Sequence, residues 1–445
     1  MPLLFAFTLC AVTPLANVIA PQDYSLTDLG TIPGNLVSWS GDINNRGQIC
    51  GTSGFPAPLG FQAYHAFFFD GAGLTDIDPI KPALAFGYSI DENGHVYGQS
   101  TARQNTIHAF HWDGAQTHDV HFGTSNFSVI HSVNEAGMQM GLFLEPSSGG
   151  GLADYRTFFR YGAIEQDIGH FGGGDTFSFG MNRFGDIVGS SNHTDGKVRG
   201  FLWQGGGLQD LGDLGDDYAQ GRDINDQGQI VGWSRTSPNV YAPFLWENNV
   251  MTALPTLGQD SFTHSINNAG TIVGWSQDNN GDQQATIWKN GVITDLNTLV
   301  NTNGFHLSSA GGINEVGEIC GTGTNAAGDK RAYKLTPILT TPRLSSILPG
   351  IAGKNNYAVG LGFTPHGNVA LVYGLASGQA SVPGCLGLQV DIHQPIIGRM
   401  TTADVDGRFY EVFPIAASAR NLTVYLQAVD VRACATSTVT HQLLY

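Results

Sequence analysis

One short pattern recurs along this chain and limits what it can fold into. Its clearest copy, Ser265-Ile266-Asn267-Asn268-Ala269-Gly270-Thr271-Ile272-Val273-Gly274-Trp275-Ser276, reads as strand, tight turn, strand. Asn or Asp opening a turn, with Gly three positions on, fits a type I turn ending in a left-handed residue. The Asx positions are Asn44, Asp91, Asn134, Asn182, Asn225, Asn267 and Asn314, and the turn glycines fall at 47, 94, 137, 185, 228, 270 and 317. Seven copies spaced by 42 to 48 residues mean a solenoid, a propeller or an array of beads.

Each copy carries a second half. His65-Ala66-Phe67 and His108-Ala109-Phe110 are its fullest forms, and Phe201 with Trp203 and Phe244 with Trp246 keep the period-two alternation of a strand. A Gly- or Asn-bearing turn and a short fourth strand, such as the one ending Asp210-Leu211-Gly212, close the unit. Four-stranded units at this spacing point to propeller blades. One small sheet cannot bury both its faces, which argues against independent beads. The seventh copy stops at Leu335-Thr336-Pro337 without a fourth strand, whereas Tyr24-Ser25-Leu26-Thr27-Asp28-Leu29-Gly30 is a fourth strand with no copy before it. The N-terminal strand is therefore expected to complete the last blade and close the ring.

The recurring Ile-Asn-x-x-Gly-x-Ile-x-Gly followed by His-Ala-Phe resembles the extracellular HAF-repeat family over roughly residues 24 to 336. That resemblance implies bacterial export and a propeller-like fold. It assigns no chemistry to any residue.

The rest of the chain frames this reading. Residues 1–20 are apolar and uncharged and read as a cleaved secretory leader, which places the protein outside the cell or on its surface. No later stretch has the length of a membrane span. A net charge of −17 argues against a nucleic-acid footprint and against anionic membrane. Residues 21–337 form the expected seven-bladed β-propeller. Residues 338–445 hold some seven short strands divided by Gly, Pro and Asp turns, and are expected to form a small β-sandwich. The fold class is all-β throughout.

An exported chain permits disulfides. Cys385 and Cys434, both in the C-terminal region, are the expected pair. Cys50 and Cys320 sit at matching positions of the first and last copies, where a second bridge and two buried thiols are both open.

Chemistry is harder to find. There is no Gly-x-Ser-x-Gly elbow and no His-Glu-x-x-His helix. The pairs His108/His111 and His118/His121 would point to opposite faces of a strand. Asp278-Asn279-Asn280-Gly281-Asp282 has oxygens at alternate positions, like a small calcium loop, but no Glu follows at the expected distance, so it also reads as a hairpin turn. The seven Asx positions would share one rim of a ring and could offer oxygens to a cation or a sugar; each could equally cap its own turn. The leading expectation is a binding module for a glycan or a protein, without a cofactor. Its competitors are a hydrolase or lyase using loop carboxylates such as Asp213, Asp216 and Asp217, and a structural surface-layer component.

Overall fold

A computed structural model describes residues 23–55, 64–77, 84–101, 106–121, 126–145, 153–348, 350, 352, 354–382, 385 and 388–444; the leader expected over residues 1–20 lies outside them. In the copy around Asn267, strands Ser261–Ile266, Ile272–Gln277, Gln283–Lys289 and Val292–Asp295 form one antiparallel meander. Its turn closes through the Gly270 N–H on the Asn267 carbonyl at 3.0 Å. Gly270 has φ +72°, a conformation glycine takes at least cost.

Among the described residues, seven such four-stranded sheets lie between Tyr24 and Pro337. Their inner strands are Val37–Ile43, Ala85–Ile90, Ser128–Val133, Gly172–Met181, Ala219–Ile224, Ser261–Ile266 and His306–Ile313. These strands contact one another in a closed cycle, the first against the last. The result is all-β and propeller-like. Tyr24–Gly30 supplies the outer strand of the seventh sheet, with Tyr24 opposite Pro337 and Leu26 opposite Leu335. Where this sheet meets the first, the Ala332 N–H donates to the Ser38 hydroxyl at 2.9 Å, and Ser38 donates to the Gly30 carbonyl at 2.5 Å.

The repeated glycine and phenylalanine explain each other. The second-strand glycine stands directly opposite the third-strand aromatic: Gly51 opposite Phe67, Gly98 opposite Phe110, Gly141 opposite Phe158, Gly189 opposite Phe201, Gly232 opposite Phe244. A Cβ at Gly51 would come within 2.7 Å of the Phe67 ring, so the ring occupies the space the glycine leaves. These five phenylalanines are all at most 2% exposed. The sixth sheet departs from this, with Thr286 opposite Gly274.

Beyond Pro337 the described residues form three further sheets. Arg343–Leu344, Asn355–Leu361 and Phe409–Pro414 form the first. Ile396–Thr402, Asn368–Gly374 and Thr423–Asp430 form the second, with Ala435–Thr436 and Thr440–Leu443 on its edge. Leu344, Ala358 and Phe409 from one share a core with Leu371, Leu426 and Ala428 from the other. Among the described residues Ser377–Ser381 pairs with Gln389–Ile392 alone; with Ser-Gly-Gln-Ala-Ser as its sequence, it shows no alternation by which to be recognised. Cys385 and Cys434 are disulfide-bonded. Cys50 and Cys320 are buried thiols and not a bridge.

This C-terminal part seats on the end of the ring that carries the Asx turns. Val316 packs with Leu348, Tyr357, Val359 and Leu361. Arg408 donates to the Asn45 carbonyl at 2.9 Å and pairs with the buried Glu318, which Lys334 also reaches at 2.9 Å. The Arg46 guanidinium lies 3.9 Å from the centre of the Tyr410 ring.

Candidate functional site in the central channel

The side-chain oxygens of the seven Asx residues turn back onto their own turns. Asn267 Oδ1 accepts the N–H groups of Ala269 and Thr271 at 3.1 and 3.0 Å, and Asn44, Asn134, Asn182 and Asn225 repeat this geometry. Asn314 accepts from Glu318, and Asp91 from Asn93 and His95. The oxygens are thus committed to their own turns. The amide nitrogens reach sideways instead. Asn134 donates to the carbonyl of Asn182, Asn182 to Asn225, Asn225 to Asn267, Asn267 to Asn314, Asn314 to Asn44 and Asn44 to Asp91, at 2.8 to 3.3 Å. The six asparagines are 4–5% exposed. They form a girdle that ties sheet to sheet.

Other expected sites resolve similarly. Asp278 Oδ1 accepts Asn280 and Asp282 N–H groups at 2.8 and 3.0 Å, which makes its loop a capped turn. Asp216 pairs with Arg235 at 3.0 Å, while Asp217 pairs with Lys197 and with Arg199 at 3.5 Å, and Asp213 with Arg199 at 3.7 Å. Asp213 and Asp217 thus share Arg199 while Asp216 is held by Arg235, and none of the three lines the spaces along the ring axis. His108 and His118 bond to Asp119 and Asp113, each at 2.8 Å. Among the described residues, no group of three or more His, Cys, Asp or Glu is placed to hold a metal ion.

The channel itself holds the positions that sequence reasoning missed. Every inner strand carries a register break, and the unpaired residue is Gly41, Tyr88, His131, Phe179, Arg222, His264 or Gly311. A bulge leaves one residue outside the ladder and re-aims its side chain. All seven line one cavity of about 470 Å³ on the ring axis. Each lies three residues before its Asx position, so aligning the copies would have exposed them. The flanking Ile, Asn and Gly columns barely vary, while this column runs through five residue types.

The polar groups of the cavity have distinct states. His131 and His264 donate from Nδ1 to the carbonyls of Ser178 and Ala310, at 3.1 and 3.0 Å, leaving Nε2 as the unprotonated nitrogen. Burial holds both imidazoles down at about 4, so they are neutral at pH 7. Burial lifts the Tyr88 phenol to about 12. One residue further along the strands, burial raises Asp42 and Asp223 to about 6. Asp42 accepts from the N–H groups of Ile43 and Ile90, and Asp223 from those of Ile224 and Ile266, so both bridge adjacent sheets.

The two ends of the channel differ. At the Asx end a smaller space of about 180 Å³ is lined by Glu92, Glu135, Arg183, Asp226 and Glu315, with the C-terminal part seated on the same face. At the opposite end half-buried aromatic rings run in contact. Trp39 meets Tyr64, Tyr64 meets Phe86, and Phe86 stacks on Tyr88; on later sheets Tyr155 meets Phe177 and Tyr241 meets Phe262, at centroid distances of 5.3 to 6.2 Å. No described C-terminal residue lines the 470 Å³ cavity.

No protein-family model matches the chain. No curated protein matches it either. Solved structures resemble it in part. The acylaminoacyl peptidase of Pyrococcus horikoshii matches with a TM-score of 0.47 at 9% identity, over 74% of this chain and 59% of its own. This chain therefore spans about three fifths of that peptidase's length. The β-propeller domain of the trilobed protease from Pyrococcus furiosus gives 0.36 at 8% identity, over 58% of this chain and 98% of its own. A fungal alcohol oxidase solved with copper gives 0.47 at 10% identity, over 96% and 100%.

Proposed function

We propose that the chain is a secreted or cell-surface binding module of HAF-repeat type. In this reading residues 21–337 are a seven-bladed β-propeller closed by its N-terminal strand, and residues 338–445 are a β-sandwich that docks on its Asx face. The ligand is a glycan whose end enters the channel from the aromatic mouth. One observation carries this reading: Tyr88 of the bulge ring stacks into a run of half-buried aromatic rings, and no described C-terminal residue lines the cavity. Flat apolar rings beside a few fixed polar groups suit sugar rings, which present C–H faces and hydroxyl edges.

A fluorescence titration of the full chain with a panel of oligosaccharides tests it, because Trp39 belongs to that aromatic run and Trp233 packs on Arg222 of the channel. Gly311→Phe serves as the blocking variant. A Cβ at Gly311 would find its nearest atom 3.5 Å away, so the position accepts a side chain, and a ring there would project into the channel and narrow it. Binding that Gly311→Phe abolishes, with the melting point retained, is the expected result. A saccharide bound equally well by the blocked variant would remove the channel from the account.

A further inference from the structure

The bulge ring is lopsided. Its two glycines, Gly311 and Gly41, are neighbours on the last and first sheets. A Cβ at Gly41 would collide with the Gly87 carbonyl, so glycine is required there to let the second sheet approach. The bulky members therefore face an open wall. Among them Arg222 is the one cation, and its surroundings are unusual. The guanidinium carbon lies 4.2 Å from the Phe179 ring centre and 5.0 Å from that of Trp233. Among the described residues, no carbonyl or carboxylate is hydrogen-bonded to it, and its Nε is buried without a partner. Burial lowers its pKa to about 10, which leaves it charged at neutral pH.

Asp223 beside Arg222 offsets part of the cost of burying this charge, but its oxygens are taken by the N–H groups of Ile224 and Ile266. A guanidinium held by aromatic faces with no hydrogen-bonded anion is costly, and the cost falls when one arrives. The other channel groups say which anion. The two histidines are neutral and present acceptor nitrogens, which suits hydroxyl donors. The Asp42 and Asp223 carboxylates lie one residue along the strands, so a doubly charged phosphate would meet repulsion from two groups and attraction from one. A planar monoanion meets the guanidinium edge in matched geometry.

We propose that Arg222 recognises a carboxylate on the ligand, and that the channel takes a uronate-bearing saccharide, its acid group on Arg222 and its hydroxyls toward His131 and His264. This rests on the reading of the channel as a glycan site, and the experiment separates the two. Calorimetry of the full chain would compare oligogalacturonate with its methyl ester, which keeps the sugar and loses the charge, and with a sulfated oligosaccharide. The acid is expected to bind at least tenfold tighter than the ester, more weakly as salt rises, and the sulfated sugar no better than the ester. Arg222→Gln should bring acid and ester to the same affinity, and Arg222→Lys should keep part of the difference. Melting curves of both variants exclude a folding defect. If ester and acid bind alike and Gly311→Phe abolishes both, the channel reading stands and the carboxylate assignment falls. A preference for the sulfated sugar, or for the acid in Arg222→Gln, also overturns the assignment. If none of the saccharides binds, both readings fall together.

Discussion

At the scale of single residues, the repeat is held by side chains whose partners lie in the backbone. Asn267 makes three such bonds from a buried position, two to its own turn and one to the neighbouring sheet. Asn267→Ala leaves the Thr271 N–H and part of the turn unsatisfied, so a loss of about 1–3 kcal/mol is expected in denaturant unfolding. A loss below a few tenths of that would mean the girdle contributes nothing. The Asx turns were legible because turn chemistry is local: Asn at one position and Gly three later need no knowledge of the rest. Their sideways amide bonds were not legible, because the acceptor is a carbonyl 42 to 48 residues away, or 270 where the ring closes, that any sequence would provide. The bulge residues were hidden for a related reason. A register slip belongs to a pair of strands, and Arg222 or His131 taken alone looks like any polar strand residue.

At the scale of elements, the strand that closes the ring is the most exposed to test. Tyr24–Gly30 was legible from bookkeeping of strands: one copy lacked a fourth strand and one strand lacked a copy. The register Leu26 opposite Leu335 matches that expectation. Removing residues 21–30 would uncover the outer edge of the seventh sheet, together with Leu335, which is fully buried. The truncated chain should melt roughly 10 °C lower and associate in light scattering, and a peptide spanning residues 22–31 should reverse both. An unchanged midpoint would show that this strand is not a closure. In the C-terminal part the longer strands were legible, as with Thr423–Asp430, where Val424 and Leu426 alternate with Thr423 and Tyr425. Short pieces such as Arg343–Leu344 were not, since two residues carry no period.

At the scale of the whole molecule, the axis concentrates buried acids. Burial raises Glu92 to about 7 and Glu315 to about 8, lifts Glu135 as well, and holds Asp42 and Asp223 at about 6. Each keeps its proton better in the folded chain than in the unfolded one, where carboxyls titrate near ~4. Their contribution is full below that value and is lost as pH rises through 6 to 8. His131 and His264 act oppositely, costing stability as pH falls below ~6.5. Between about pH 6.5 and 8.5 the carboxyl effect is therefore left to dominate, and the melting point should fall as pH rises. Glu315→Gln should flatten that slope. A melting point that climbs over the same interval would contradict the burial of these groups.

The girdle also has a gap. Six of its seven members carry an amide that can donate; the second sheet has Asp91, whose carboxylate faces His95 at 3.1 Å and has no N–H to give to the third sheet. The circle thus has a seam, and the seam should be where it unzips first under heat or tension. Backbone hydrogens of Ala85–Ile90 and Ser128–Val133 should exchange with deuterium sooner than those of Ala219–Ile224 and Ser261–Ile266. Asp91→Asn would supply the missing stitch and should even out the rates, turning a clasped bracelet into a continuous band.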